Sequence, residues 1–340
     1  MYLIDPQKNQ YKANLHCHST LSDGALTPEQ LKEAYKNHGY QILSITDHEV
    51  PKDHSAMTEP DFLMLTGYEA YIRPDPMGVY NTYAPEVHLN LFARDPHNEA
   101  VVCYNSHYCK YLPKERAETI EKVGSQEDRQ YTVEYINAFI RTARENGYLV
   151  SYNHPVWSME SEERILAYEG CFSMEMVNYA SYTENSIEYN GALYDKLLCA
   201  GKRLFVHGAD DNHNRASFDS PRNDSFGGFT MILADELTHD AAIEAMEKGD
   251  MYCSMGPVFK SVSFDGETVH IECSEAVKAY CFCGSKAPAR VLAHPGEPFT
   301  RADMKVPKGA RYIRISIVDA QGRYADTRAF FREELGLEPL

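Results

Sequence analysis

Histidines and carboxylates recur in short groups along the first two thirds of the chain. The first group, His16-Cys17-His18, ends a predicted strand, where alternate side chains point to the same side. Both imidazoles can therefore reach one metal ion. Comparable groups follow at or near later predicted strands: Thr46-Asp47-His48, Gly67-Tyr68-Glu69, His88, Asn153-His154-Pro155 and Gly208-Ala209-Asp210-Asp211-Asn212-His213. Imidazole and carboxylate are common ligands of divalent transition metals, so the recurrence predicts a metal site.

Alternating strands and helices are expected to position these groups. From residue 13 to about 250, short β-like runs alternate with helical stretches, a pattern typical of a parallel sheet in an α/β fold. The first predicted strand covers residues 13–18, and Thr27 and Pro28 then start a helix that runs to Asn37. In an α/β barrel the carboxyl ends of the strands lie on one face, so groups that are distant in sequence converge there.

The chain changes character after Gly256-Pro257 and becomes rich in β-like segments. Residues 258–264 and 268–273 are predicted strands joined by Asp265-Gly266, a strong hairpin signal. We therefore predict a metal-binding barrel domain over residues 1–256 and a small β-rich domain over 257–340. Residues 95–130 are polar and charged, and we interpret them as a helical insertion in the first domain.

The composition limits the classes of ligand. The chain has 340 residues, of which 43% are hydrophobic, and a formal net charge of −17. Such a body repels polyanions, so extended nucleic acid is an unlikely partner. A small phosphorylated substrate is acceptable if bound metal ions supply positive charge.

No membrane or secretion signal is evident from the sequence. No segment reaches the roughly 20 apolar residues that span a bilayer, and residues 1–9 lack the layout of a signal peptide. The nine cysteines are scattered without zinc-finger spacing, which favours reduced thiols. The expectation is a cytoplasmic protein without membrane contact.

The motifs together resemble one known family. The run Asn14-Leu15-His16-Cys17-His18-Ser19-Thr20-Leu21-Ser22-Asp23-Gly24 resembles the first motif of the polymerase and histidinol phosphatase (PHP) superfamily. The later groups follow in the family's order, and the resemblance extends over about residues 13–257. It implies a distorted, seven-stranded (β/α)7 barrel, here followed by a small β-sandwich-like module.

The resemblance also implies up to three divalent metal ions. The residues that match the family's ligands are His16, His18, Asp23, His48, Glu69, His88, His154, Asp211 and His213. His107 is the alternative to His88, and Asp210 is the alternative to Asp211, although alternation with His213 favours Asp211. Such a mixed ligand set suits two to three zinc, iron or manganese ions better than magnesium or calcium.

Three further polar residues adjoin the expected ligands. Asp47 and Asp210 could orient imidazoles, as metal-bound histidines usually require, or could serve as capping groups. Arg215 could bind a phosphate through two hydrogen bonds, or it could be an ordinary surface residue.

These observations lead to one expected function with two alternatives. We expect a metal-dependent phosphoric ester hydrolase that cleaves a small phosphate ester, a nucleotide or another phosphomonoester, with metal-activated water. A metal-dependent amidohydrolase is the first alternative, but the motifs contain no lysine at a strand end to bridge two metals. A non-catalytic metal-binding or partner-binding protein is the second, and the complete ligand set argues against it.

Overall fold

The computed structural model describes residues 1–339 as a mixed α/β fold with a large β-rich region. Seven α-helices lie in this range: α1 (Pro28–Asn37), α2 (Lys114–Thr119), α3 (Val133–Glu145), α4 (Glu162–Ala167), α5 (Tyr179–Asn185), α6 (Gly191–Cys199) and α7 (His239–Lys248). The strands of the first half are β1 (Tyr2–Ile4), β2 (Asn9–Asn14), β3 (Ile42–Ile45), β4 (Leu63–Ile72), β5 (Val87–Ala93), β6 (Val101–Val102), β7 (Lys122–Val123) and β8 (Tyr148–Tyr152). The later strands are β9 (Ser173–Asn178), β10 (Phe205–Ala209), β11 (Phe229–Ala234), β12 (Met251–Ser254), β13 (Phe259–Phe264), β14 (Thr268–Ala276), β15 (Lys278–Phe282), β16 (Ala289–Leu292), β17 (Phe299–Lys305), β18 (Tyr312–Val318), β19 (Tyr324–Thr327) and β20 (Phe330–Phe331).

One large sheet runs through most of the molecule. Its strand order is β10-β9-β8-β5-β4-β3-β2-β11-β12-β19-β18-β15-β16, with β20 paired to β18. Strands β2, β3 and β4 are parallel to one another, as are β8, β9 and β10, whereas β5 is antiparallel to both of its neighbours, β4 and β8. The amino end of β5 therefore lies at the same rim as the carboxyl ends of the surrounding strands.

The strand ladders among residues 1–339 do not form a closed barrel. Strand β2 pairs with β11 along Asn9–Ala13, so this edge is not available to β10. The side chain of Asn14, at the end of β2, accepts from the amide of Asp210 at 3.0 Å. The backbones at the two ends of the seven-strand series β2-β3-β4-β5-β8-β9-β10 pair only beyond β2 and β10, through an isolated parallel bridge between Cys17 and Asn212. There the amide of Asp211 donates to the carbonyl of His16 at 2.9 Å, and the amide of His18 donates to the carbonyl of Asn212 at 3.0 Å. Of the distorted barrel expected from the sequence, the structure shows this contact at the rim but no closed ladder of strands.

Local sequence signals account for several helices. The Thr27 hydroxyl accepts from the backbone amide of Gln30, and the Gln30 side chain accepts from the amide of Thr27, so a reciprocal cap starts α1 as predicted. Thr132 caps α3, which buries Ile136, Phe139 and Ile140 in the core shared with β5 and β8. These apolar contacts hold the helix against the sheet that carries the site.

The β-rich region packs a second sheet, of order β1-β13-β14-β17, against part of the first. Strands β13 and β14 form the predicted antiparallel hairpin, and Gly266 in its turn has φ +106°, which favours glycine. Strand β12 pairs with β19, so the large sheet continues past residue 257 without a break.

The polar segment 95–130 is less helical than expected. Only Lys114–Thr119 forms an α-helix there, and β6 and β7 form a two-stranded parallel sheet. Most of the remaining residues are loops held by side-chain contacts, which helical periodicity cannot reveal. Within the described part of the chain, no helix is long and apolar enough to cross a membrane.

Candidate metal centre

Six imidazoles and three carboxylates meet at the rim formed by the strand ends. The structure brings together all the residues expected as ligands: His16, His18, Asp23, His48, Glu69, His88, His154, Asp211 and His213. Ligand atoms of seven of these residues form three overlapping groups, within each of which all atoms lie within 4.8 Å of one another: His18, Asp23, His48 and His213; His16, His18 and Glu69; and His48, Glu69 and His88. His154 and Asp211 adjoin these groups, His154 beside Glu69 and Asp211 beside His16.

Glu69 is the centre of the cluster. It lies on β4 with its side chain 1% exposed. Its Oε1 lies 3.2 Å from His16 Nε2, 3.0 Å from His88 Nδ1 and 3.4 Å from His154 Nε2. Its Oε2 lies 2.8 Å from His48 Nδ1. One buried carboxylate therefore faces imidazoles from four separate segments of the chain.

Asp211 closes the cluster on the side of β10. Its Oδ1 lies 3.2 Å from His16 Nε2 and 3.0 Å from His18 Nε2. Asp211, the second residue after β10, has φ +53°, in the left-handed region. Since such a backbone is uncommon for residues other than glycine, its surroundings must hold it there, and the turn aims the carboxylate at two imidazoles.

The part of the cluster that contains Asp23 and His213 is nearer to solvent. Asp23 Oδ1 lies 3.3 Å from His213 Nε2 and 3.8 Å from His48 Nε2. The side chains of Asp23 and His213 are 24% and 22% exposed, whereas those of His16 and His18 are fully buried. The cluster thus extends from a dry interior towards the opening of the pocket.

The unpaired polar atoms of the cluster fit shared cations. Five buried atoms of the cluster form no hydrogen bond with any of residues 1–339: His18 Nδ1, Asp23 Oδ1, His48 Nδ1, Glu69 Oε2 and His88 Nε2. Burying polar atoms without partners is costly, and native proteins usually satisfy them. Although His48 Nδ1 and Glu69 Oε2 are 2.8 Å apart, they do not have hydrogen-bond geometry. Imidazole and carboxylate atoms that lie this close together without a hydrogen bond are available to a shared cation.

The charges of the cluster also favour cations. Burial opposes ionisation of Glu69, but His88, His16 and His48 outweigh it and hold the pKa of this carboxyl well below its usual range. Burial lowers the pKa of His18 to about 3, and the neighbouring His48 and His213 act in the same direction. A lowered pKa favours the neutral imidazole, the form that donates a lone pair to a metal.

Glu175 is a site residue that the sequence analysis did not identify. It is fully buried on β9, and its Oε1 accepts from His16 Nδ1 at 2.7 Å. Its Oε2 accepts from the backbone amide of His154 at 2.8 Å and from the side chain of Asn178 at 3.0 Å. It thereby fixes the ring of His16 with Nε2 turned towards the cluster. A single acidic residue inside an otherwise apolar strand was the signal available in the sequence.

Replacing Glu175 with glutamine is expected to weaken metal binding by about 10- to 100-fold, the usual cost of losing a partner that orients a metal-bound histidine. Glutamine keeps the size of the side chain and removes its charge. Competition with a chromogenic chelator measures the affinity, and Glu169→Gln, at an exposed position, is the matched control. Equal affinities for the two variants would contradict the role of Glu175.

Asp47 and Asp210 stabilise loops, and neither accepts a hydrogen bond from an imidazole within residues 1–339. Asp47 accepts from the backbone amides and hydroxyls of Ser19 and Ser22, which shapes the loop that ends in Asp23. Asp210 accepts from the Tyr35 hydroxyl at 2.7 Å and from three consecutive amides, those of residues 226–228. These hydrogen bonds are those of capping groups, the alternative that the sequence left open, and a role of the two aspartates in orienting imidazoles stays a prediction.

His88, its alternative His107, and Arg215 occupy different positions relative to the cluster. His88 lies at the amino end of β5 and belongs to one of the three groups, whereas His107 lies in the loop before α2 and belongs to none of them. Arg215 donates to Asp23 Oδ2 at 2.7 Å, and its side chain is 64% exposed.

A pocket of about 540 Å³ opens above the cluster. Its walls include the aromatic residues Tyr71, Tyr80, Tyr111 and Trp157 and the cationic residues Arg73, Lys110 and Arg215. The ring of Trp157 packs edge-on against His88 and His154, with centroids 5.4 and 4.7 Å apart. A small anionic molecule can enter this space and reach the ligand atoms at its base.

Comparisons with known proteins found a family model that matches part of the chain. Residues 14–170 match the family model of the PHP domain. The comparison with curated proteins found no match. Among solved structures, the chain is similar to a two-domain protein containing a predicted PHP-like metal-dependent phosphoesterase from Bacteroides vulgatus, with 14% identity, 92% of each chain covered and a TM-score of 0.46. It is also similar to an amidohydrolase from Chromobacterium violaceum, with 17% identity over 59% of this chain and 87% of that one and a TM-score of 0.39.

Proposed function

We propose that this chain, which matches the PHP domain over residues 14–170, is a metal-dependent phosphoesterase. Its proposed substrate is a small phosphate ester such as a nucleotide or another phosphomonoester. The observation that carries this proposal is the set of three overlapping groups of ligand atoms at the base of one pocket. Overlapping groups favour several cations close together, the arrangement used by many enzymes of phosphate ester hydrolysis.

The proposed ligands are the six histidines and three carboxylates of the cluster, and the proposed ions are two or three of zinc, iron or manganese. When bound, such ions lower the pKa of water and stabilise the negative charge that develops on a phosphoryl group. Glu69 and Asp211 each face several imidazoles, so they would hold the ions together with those histidines.

The chain's own side chains have separate tasks in this proposal. The buried base of the cluster, including His16 and His18, keeps bulk water away, which strengthens electrostatic interactions with the substrate. Glu175 orients His16, and Asp47 holds the loop that carries Asp23. Arg215 lies at the opening and is a candidate to bind phosphoryl oxygens, in exchange for its contact with Asp23.

We further propose that β2, β3, β4, β5, β8, β9 and β10 function as a distorted barrel. The bridge between Cys17 and Asn212 supports this proposal, because it brings the two ends of the strand series together at the rim. The division into residues 1–256, which hold the cluster, and residues 257–340, which are rich in β structure, is part of the same proposal.

A metal analysis followed by an activity screen tests the function. Purified protein is loaded in turn with zinc, iron or manganese and assayed on nucleotides, sugar phosphates, aryl phosphates and a matched panel of amides. We expect release of phosphate that a chelator abolishes and added metal restores. Turnover of amides alone would favour an amidohydrolase, and fully loaded protein inactive on every ester would contradict the proposal.

A further inference from the structure

Part of the segment 95–130 forms one wall of the pocket above the metal centre. Within it, the carbonyl of Tyr108 accepts from the Tyr71 hydroxyl at 3.0 Å, and the Tyr108 hydroxyl accepts from the amide of Arg73 at 3.3 Å. The ring of Tyr111 is stacked towards that of His48, with centroids 6.5 Å apart and planes inclined by 22°. The segment is thus packed against both the pocket and one expected ligand.

A buried ion pair fixes this wall in place. Arg129 Nη2 donates to Glu49 Oε2 at 2.8 Å, and both side chains are 0% exposed. Glu49 directly follows His48, and the thiol of Cys109 donates to Glu49 Oε2 at 3.7 Å. Because Cys109 is buried and Tyr111 packs near His48, the intervening Lys110 has a fixed backbone at the opening of the pocket.

Lys110 differs from the other two cations that line the pocket. Arg73 pairs with Glu86, and Arg215 pairs with Asp23. Lys110 is exposed and, among residues 1–339, forms no ion pair with a carboxylate within 4.0 Å. In a chain with a net charge of −17, an unpaired cation beside a cluster of acidic ligands is available to an incoming anion.

The position of Lys110 indicates which part of a substrate it would meet. The expected ligands at the base of the pocket are largely buried, whereas Lys110 lies with Tyr111 at the solvent-facing opening. A phosphoryl group bound at the base would therefore leave the alcohol part of its ester facing Lys110. A lysine ammonium is a mobile point charge, which suits either a carboxylate or a second phosphate.

We propose that Lys110 binds an anionic group on the part of the substrate that is not transferred, so that the preferred substrates are phosphomonoesters whose alcohol part carries a carboxylate or a second phosphate. This inference rests on the proposed phosphoesterase function. It makes Lys110 a residue that determines specificity, with no part in bond cleavage.

Three matched substrates test the inference on the metal-loaded, full-length protein. They are phenyl phosphate, 4-carboxyphenyl phosphate and 1,4-phenylene bisphosphate, the last corrected for its two equivalent esters. A charged hydrogen bond of usual strength predicts that kcat/KM favours one or both charged esters by about tenfold. In Lys110→Met this preference is lost, mainly through KM, whereas Lys110→Arg retains it.

Lys114→Met is the matched control, because Lys114 lies on α2 in the same segment but is exposed and outside the pocket lining. It should keep the preference of the unmodified protein. The two charged esters show separately whether a carboxylate or a phosphate is recognised. Equal kcat/KM for all three substrates, or an equal loss on all three in Lys110→Met, would overturn the inference. Absence of phosphate release from any ester would instead overturn the proposed function itself.

Discussion

Replacing Asp211 with alanine is expected to lower kcat/KM for a phosphate ester by more than about 100-fold. Loss of a residue that orients a metal ligand typically lowers metal affinity or activity by about 10- to 100-fold, and loss of a proposed ligand should lower them more. The carboxylate of Asp211 lies within 3.2 Å of the imidazoles of both His16 and His18. Its loss removes one negative charge from the site, so metal content should fall together with activity. Elemental analysis and steady-state kinetics on the same preparation measure both effects.

Asp219→Ala is the matched control for this substitution. Asp219 is exposed in the loop after β10, and its side chain accepts only from Ser217 among residues 1–339. It should leave metal content and turnover unchanged. An Asp211→Ala protein with the metal content and activity of the unmodified chain would remove Asp211 from the proposed centre.

Replacing Arg129 with methionine is expected to reduce the free energy of unfolding by about 3–5 kcal/mol, the usual cost of breaking a buried ion pair on one side. The substitution leaves the carboxylate of Glu49 buried without its cation. It also removes donors to the backbone carbonyls of Tyr71 and Cys103. Chemical denaturation followed by circular dichroism measures the loss, which is a large part of the stability of a typical domain.

The double variant Arg129→Met with Glu49→Met separates the ion pair from the packing around it. Since apolar side chains of similar size often replace a buried pair with little loss, the double variant should be more stable than Arg129→Met alone. If Arg129→Met unfolded at the same denaturant concentration as the unmodified chain, the pair would not hold the wall. Arg116→Met, in the same segment but partly exposed, is a suitable comparison.

The sequence contained strong signals for the residues of the candidate centre. His16 and His18 alternate at a strand end, and alternation with His213 favoured Asp211, which the structure turns towards the cluster. For His88 the local pattern predicted a strand but not its direction. Because β5 runs antiparallel to its neighbours, His88 reaches the rim from the amino end of its strand. Strand direction depends on non-local pairing, which short-range patterns do not encode.

Other features had no local signal in the sequence. Glu49 and Arg129 are 80 positions apart, and neither belongs to the motifs found in the sequence. The open sheet also could not be foreseen, because it depends on β11 pairing with β2 across more than 200 positions. Hydrophobic periodicity identifies strands and helices, whereas these contacts depend on which strand edges meet in three dimensions.

The pairing of β1 with β13 affects when the second sheet can form during synthesis. Tyr2 is the partner of Ser263, and the amino group of Met1 donates to the carbonyl of Phe264 at 2.7 Å. A fragment beginning at residue 257 would lack β1 and would leave β13 with an open edge, where another chain can add. During synthesis, β1 cannot pair with β13 until the residues between Tyr2 and Ser263 have been made.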